Sequence, residues 1–307
     1  QDSQCSEDKK TNKNDVDQLV ATLGKSEPAA RLKAARNLGE LGDGAIGAVA
    51  TMCEVLEEYL DKPPNEENTT VAAQLVQSIG KIGPAAASDP AFLVLRKALT
   101  SSGHDLSLRA NAAEALGKIG KDPDDIVPFL VNAALTDKEA AVRSKAAGAI
   151  KAKKEEKYIV DAVSKLAAAL GNTTSGGQGE DPTGEQCERA LVALASLGSG
   201  AVESVPRIVD LLSSHDPRVS EGAARALGQL ADHIASRRVE EEEEKKKNTT
   251  VQQTVDALKN VVVENSDVFV RHAAVEAFYK VSGSKSQMDL EKGSEAEVKF
   301  KFKDAAE

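Results

Sequence analysis

Apolar residues recur along this chain at intervals of three and four, the spacing that gathers side chains on one face of an α-helix. Val16, Leu19, Val20 and Leu23 form one such set, and Val205, Ile208, Val209 and Leu212 another. Each set is followed by a polar break and then a second, Ala-rich helical pattern, so the unit predicted is a helical hairpin. The second helices also resemble one another in sequence. Segment 105–120 reads DLSLRANAAEALGKIG, 27–42 reads EPAARLKAARNLGELG, 216–231 reads DPRVSEGAARALGQLA and 267–282 reads DVFVRHAAVEAFYKVS. Weaker copies end at Gly83, Lys154 and Gly198, which makes seven. Aligned on Gly117, the equivalent positions are Gly39, Gly80, Lys151, Ala195, Gly228 and Tyr279. The closest of these are 33 residues apart, Ala195 and Gly228, so the minimal unit is about that long and wider spacings carry insertions.

Position by position, the second helix has a physical logic. It opens on an acidic N-cap at Glu27, Asp105, Glu139, Asp216 or Asp267. Pro28 and Pro217 follow at the first helical position, where a missing N–H loses nothing. Arg31, Arg109, Arg143 and Arg271 stand four residues after the cap, where an acid and an arginine share a face and stacked repeats extend the pairs into a ladder. Alanine pairs (34/35, 112/113, 146/147 and 223/224) let neighbouring helices approach. Leu38, Ile79, Leu116, Ile150, Leu194, Leu227 and Phe278 supply the core. A closing glycine (Gly42, Gly83, Gly120, Gly198) provides the left-handed residue past the helix end.

These residues resemble HEAT repeats, in particular the short bacterial kind known as phycobilin-lyase HEAT-like repeats, whose D-P-x-V-R-x-x-A-A-x-A-L-G-x-I-G pattern is matched closely at 105–120 and 216–231. The resemblance covers residues 15–283. It implies an all-α, right-handed α-solenoid of about seven hairpins, each repeat buried only by its neighbours. It also implies that the second helices line a concave face. On that face the candidate partner-binding residues are Arg36, Gln77, Lys81, Glu114, Lys118, Arg225, Gln229, Glu276 and Lys280, a mixture of both signs that suits recognition of a protein rather than a polyanion.

Outside the repeats, residues 1–14 are polar and charged, a pattern predicting a disordered tether. A polar leash before a folded domain is what bacterial lipoproteins show after their lipidated cysteine. Cys5 has no small apolar residues before it, so the expected anchor lies upstream, with a periplasmic or cell-envelope location; a truncated cytoplasmic protein is the alternative. Two insertions, 61–70 and 171–184, join first to second helices and read as surface loops, with partner binding as their other use. Glu240 to Glu244 followed by Lys245 to Lys247 gives acid-to-base pairs at i,i+4, the mark of a solvated helix extension. Asn68, Asn172 and Asn248 each begin Asn-Thr-Thr; for Asn68 and Asn248 a helix start is preferred over a glycosylation acceptor. In the tail, 284–307, Val298, Phe300 and Phe302 alternate with lysines, a strand pattern that either caps the last repeat or pairs with a partner's sheet edge.

Composition narrows the functional classes. Aromatics make up 3% of the chain with no Trp, which disfavours base-stacking platforms and aromatic-lined sugar clefts. A net charge of −10 argues against broad affinity for nucleic acid or anionic membranes. Cys5, Cys53 and Cys187 lie far apart, with no CxxC spacing for zinc or disulfides. The four His are scattered, two of them (His104 and His215) before an Asp at equivalent turns, which signals structural use. No HExxH, GxSxG, Walker or dinucleotide motif occurs, and the GKIG segments at Gly80 and Gly117 end helices rather than begin them. No catalytic, metal or cofactor site is therefore expected. The reading is a non-enzymatic interaction scaffold, an accessory subunit of a larger envelope complex with protein partners; a HEAT-like bilin lyase or other ligand-handling solenoid is the alternative.

Overall fold

The computed structural model describes residues 14–24, 27–101, 103, 105–120, 122–153, 155–171, 184–243 and 250–283. Among these residues there are α-helices and short 3-10 turns but no strand. Fourteen α-helices alternate as first and second members of seven hairpins. They are α1 (14–24), α2 (Pro28–Glu40), α3 (Val49–Asp61), α4 (Glu66–Ile82), α5 (Asp89–Thr100), α6 (Leu106–Ile119) and α7 (Pro123–Thr136). The remainder are α8 (Ala140–Lys151), α9 (Glu156–Ala168), α10 (Gly184–Leu197), α11 (Val205–Asp210), α12 (Pro217–Glu243), α13 (Thr250–Glu264) and α14 (Val268–Ser282). The chain divides after Ala162 into two compact units. In the first, α2, α4, α6 and α8 stack in order as one layer, with α3, α5 and α7 as the other; in the second, α10, α12 and α14 form the corresponding stack. The expected all-α solenoid architecture is what the hairpins build.

Four of the seven alignment anchors, the glycines, turn out to be close crossings between second helices. A Cβ built on Gly39 would lie 2.9 Å from the Cα of Ser78. One on Gly80 would lie 3.1 Å from the Cα of Ala115, on Gly117 3.1 Å from that of Ala149, and on Gly228 3.3 Å from that of Ala277. The partner is in each case the small residue two positions before the next anchor, so glycine and Ser/Ala meet backbone to backbone. The last second helix of each unit departs from this. Its anchor is Lys151 in α8, exposed, and Tyr279 in α14, half-buried.

Longer side chains join the first-helix layer. Lys97 of α5 reaches Asp61 of α3 at 2.6 Å, and Arg96 lies over the rings of Phe92 and, in α7, Phe129 (5.9 and 5.1 Å), which meet edge to face. With glycine and alanine on one side and Lys, Arg and Phe on the other, the second-helix layer of the first unit is the more closely packed of the two. All seven predicted core residues from Leu38 to Phe278 are buried, and the four predicted closing glycines have positive φ, between 54° and 72°.

The cap-plus-four arginines need a correction. The cap carboxylates of Asp105, Asp216 and Asp267 accept backbone N–H groups of their own first turn, whereas Glu27 and Glu139, one methylene longer, make no side-chain cap. The arginines instead hold turns. Arg143 donates to the carbonyls of Asp137 and Lys138, and Arg271 to those of Asn265 and Ser266. Arg31 reaches forward to Glu58 of α3 at 3.2 Å, and buried Arg109 grips Asp137 of the next hairpin through two bonds of 2.8 and 3.2 Å. Cys187 occupies the same slot in α10, is buried, and directs its thiol at the turn carbonyl of Leu170 at 3.6 Å, so it acts as a short arginine. The first helical turn of α4 also begins earlier than expected. Asn65 is its cap, accepting from the N–H of Asn68, while the Asn68 side chain donates to the carbonyl of Pro63. The backbone of α12 continues to Glu243, as the charged extension implied. Residues 1–13, most of the second insertion (172–183) and the tail with Val298, Phe300 and Phe302 lie outside the described residues.

Two substitutions separate these contacts from generic helix effects. Gly117→Ala places a methyl 2.7 Å from the Cβ of Ala149 and is expected to lower unfolding free energy by about 1–3 kcal/mol. Gly148→Ala, in α8 with open space around it, is expected to raise it by about 0.4–1 kcal/mol; urea melts of the two read the opposite signs. Asp137→Ala removes the ion pair of buried Arg109, and the same melts are expected to show a loss of up to about 3–5 kcal/mol.

Candidate functional site

On the second-helix face of the first unit, each second helix presents residues three before and one after its anchor to solvent, because these positions lie one turn apart and point away from the hairpin core. Arg36, Gln77, Lys81, Lys118, Arg225, Gln229, Glu276 and Lys280 are exposed and Glu114 is half-buried. Several are already committed to partners within the chain. Glu114 takes Lys118 at 2.6 Å along its own helix and Lys145 of α8 at 2.7 Å across the furrow between helices. In the second unit Arg225 bonds Glu221 at 2.9 Å, and Glu276 lies 3.6 Å from His272.

The Glu114–Lys145 bridge defines a rule for the furrows. The residue three before one anchor meets the residue six before the next. By that register, Arg36 faces Gln74 across the α2/α4 furrow, and Gln77 faces Asn111 across the α4/α6 furrow. Neither of these pairs is closed by an ion pair, and between them opens a groove of about 540 Å³. Leu32 and Ala73 give it an apolar floor, Gln74, Gln77, Asn111, Thr70 and Ser107 its polar sides, and the Pro64–Glu66 loop an end wall. The first insertion thus shapes the groove rather than standing apart from it. The Nε2 of Gln74 donates to the Oε1 of Gln77 and the Oγ of Ser78 (3.3 and 3.2 Å), which fixes both amides. The remaining acceptor of Gln74 and the remaining donor of Gln77 have no partner among the described residues, and neither has the amide of Asn111.

Among the described residues no three His, Cys, Asp or Glu side chains gather as a metal site. Cys53 is buried, and burial, followed by the nearby Glu54 and Glu57, pushes its thiol up to about 12, so it is a packing residue at neutral pH. No helix among the described residues is long and apolar enough to cross a membrane.

Residues 65–151 match the model of HEAT repeats, and residues 201–232 that of the Armadillo/beta-catenin-like repeat. HEAT and Armadillo repeats are thus found over these two stretches of the chain. No curated protein matches its sequence. Among solved structures, Kap121p aligns with a TM-score of 0.51 at 14% identity over 88% of this chain, and a Kap121p mutant does so with 0.51 at 15%. The chain spans 37% of Kap121p, and at this identity the likeness establishes the α-solenoid fold alone. Human deoxyhypusine hydroxylase, in complex with glycerol, aligns over 89% of this chain at 19% identity with a TM-score of 0.35.

Sequence reasoning located Arg36 and Gln77 but missed Gln74, Asn111, Thr70 and Ser107, which form the opposite banks. For Gln74 and Asn111 the signal was present, a polar side chain inside an Ala-rich helix three residues before Gln77 and Glu114; Thr70 and Ser107 lie a further turn back, near the helix starts.

The Glu114 bridge carries a pH signature. Hydrogen bonds from Lys118 and then Lys145 hold its carboxyl at about 2, against an ordinary 4.5. A depressed folded-state value means this stabilisation is complete above about 4.5 and is lost as pH falls towards 2. Glu114→Gln is expected to flatten the acid limb of stability against pH in that window, as read by urea melts at stepped pH.

Proposed function

We propose that the chain is a non-enzymatic scaffold that grips a partner protein with the concave face of its second helices. The observation that carries this reading is the groove of about 540 Å³ spanning three successive repeats of the first unit, with unclosed polar banks on a face whose other predicted positions are solvent-accessible. A stack of small-residue crossings gives that face rigidity before any partner arrives, which lowers the ordering entropy of binding. The mixture of Arg, Gln, Lys and Glu suits a specific protein surface, and the acidic chain as a whole does not suit nucleic acid. The closer likeness to the phycobilin-lyase type of HEAT repeat rests on segments 105–120 and 216–231. A place in a bacterial cell-envelope complex, reached through an upstream lipid anchor, also belongs to the proposal; its support is the polar composition of residues 1–14.

Crosslinking followed by affinity capture from native cells tests this, using the full chain, the double variant Arg36→Ala/Gln77→Ala and a chain ending at Gly283. One defined protein complex captured by the full chain and reduced at least about tenfold by the double variant is the expected result. Loss on truncation alone moves the docking element to the tail strand around Val298, Phe300 and Phe302. Co-purification of a chromophore or nucleic acid without a protein partner overturns the reading.

A further inference from the structure

The geometry points to a docking site for the chain's own tail: the turn between α13 and α14 receives Val298, Phe300 and Phe302, packed on Val263, Val268 and Phe269. This assignment goes beyond the scaffold reading and does not depend on it.

The receiving surface is out of keeping with the rest of the array. Val263 is 73% exposed, Val268 56% and Phe269 72%, all at one end of the last hairpin. Of the four phenylalanines among the described residues, Phe92 and Phe278 are buried and Phe129 is half-buried beside Arg96; Phe269 alone is exposed. Repeat register shows that the fold asks for no aromatic there. The second residue after the acidic cap is Ala29, Ser107, Ala141 or Arg218 in the other acid-capped repeats, exposed in each, and Phe269 here. Packing within the hairpin therefore does not account for this ring.

The turn that displays these side chains is fixed by its own hydrogen bonds. The Asp267 carboxylate accepts the N–H groups of Phe269 and Val270 at 2.8 and 3.2 Å, and the Asn265 side chain accepts that of Asp267 at 2.9 Å. Arg271 donates to the carbonyls of Asn265 and Ser266 from the other side. An apolar surface held in this way loses little order on being covered.

The tail supplies a segment that matches it. Val298, Phe300 and Phe302 alternate with Lys299, Lys301 and Lys303, so in extended form the apolar side chains share one face and the lysines the other. Laid on the turn, the segment buries its apolar face and keeps its lysines in water. Glu264 and Asp267 flank the apolar residues and line a cleft of about 290 Å³ between the turns of the sixth and seventh hairpins, which gives the lysines carboxylates to lean towards. A second copy of the chain is the poorer occupant, because it brings the same net charge of −10.

The length of the connection fits as well. From Gly283 back to Val268 along α14 is roughly 22 Å. A flexible linker as long as the stretch from Gly283 to Val298 has a root-mean-square span of about 19–23 Å. A span that matches the distance raises the effective concentration to the millimolar range. Contact between three apolar residues on each side is then enough, even if the same segment as a free peptide bound with a Kd of only about 1 mM.

The test is photo-crosslinking of the full chain, with Phe269→p-benzoylphenylalanine as the probe. The control is Val192→p-benzoylphenylalanine, at another exposed apolar position, in α10. Irradiation and peptide mapping are expected to join position 269 to residues 298–302 within one chain, at a yield independent of protein concentration. Phe300→Ser/Phe302→Ser is expected to lower that yield at least about fivefold. Lys299→Glu/Lys301→Glu/Lys303→Glu is expected to lower it at least about twofold at low salt. A second readout keeps Phe269 in place: in the ¹³C-methyl-labelled full chain, the methyl signals of Val263 and Val268 are expected to shift when Phe300→Ser/Phe302→Ser is introduced. The assignment is overturned by equal capture of the tail from position 192, by crosslinks that form only between chains or only outside 298–302, or by methyl signals that the tail variant leaves unchanged.

Discussion

The structure depends on backbone-to-backbone crossings of its second helices. An interior repeat cannot close a core by itself: apolar side chains such as Leu75, Ile79 and Ile82 of α4 are buried only in the stack, and the repeat becomes stable by lying against its neighbours. Glycine at the anchor, opposed by Ser78, Ala115, Ala149 or Ala277, lets that contact form at a distance no larger residue permits. Every other feature is arranged around the closeness of this crossing. It brings Arg109 within reach of Asp137 and sets Lys145 on Glu114.

A second regularity lies at the turns. At five of the seven anchors the residue eight before closes its hairpin or reaches to the next one, Ala72 and Ser220 being the exceptions, and the chemistry varies while the role persists: Arg143 and Arg271 by guanidinium, Cys187 by thiol, Arg31 and Arg109 by ion pairs. Asp137 joins both uses, since its carboxylate takes Arg109 of the preceding hairpin and its carbonyl takes Arg143 of its own. Burial alone would raise this carboxyl; the bonds from Arg109 and the Glu139 N–H bring it below its ordinary value.

The repeats, their helical content, the core row from Leu38 to Phe278 and the closing glycines were legible in the sequence because each follows from local periodicity or from one residue's backbone preference. Partner choice for the arginines was not. An acid and an arginine four apart share a face, but Asp105 and Asp267 spend their carboxylates on N–H groups of their own first turn, and only the folded neighbourhood reveals what the arginine reaches. For the candidate site, the outward stripe of Arg36 and Gln77 was readable from the anchor, whereas the banks at Gln74 and Asn111 depend on how one helix is shifted along the next. That register is set by the glycine crossing, a contact between residues about forty positions apart.

Tyr279 gives the array a direction of growth. Gene duplication adds hairpins to such chains, and a copy inserted behind Gly80 or Gly117 finds a ready seat, because the glycine ahead of it accepts any small residue at the proper place. A copy added behind α14 would meet a phenol where the seat should be. The chain can lengthen from within, but at that end it must first exchange one aromatic residue.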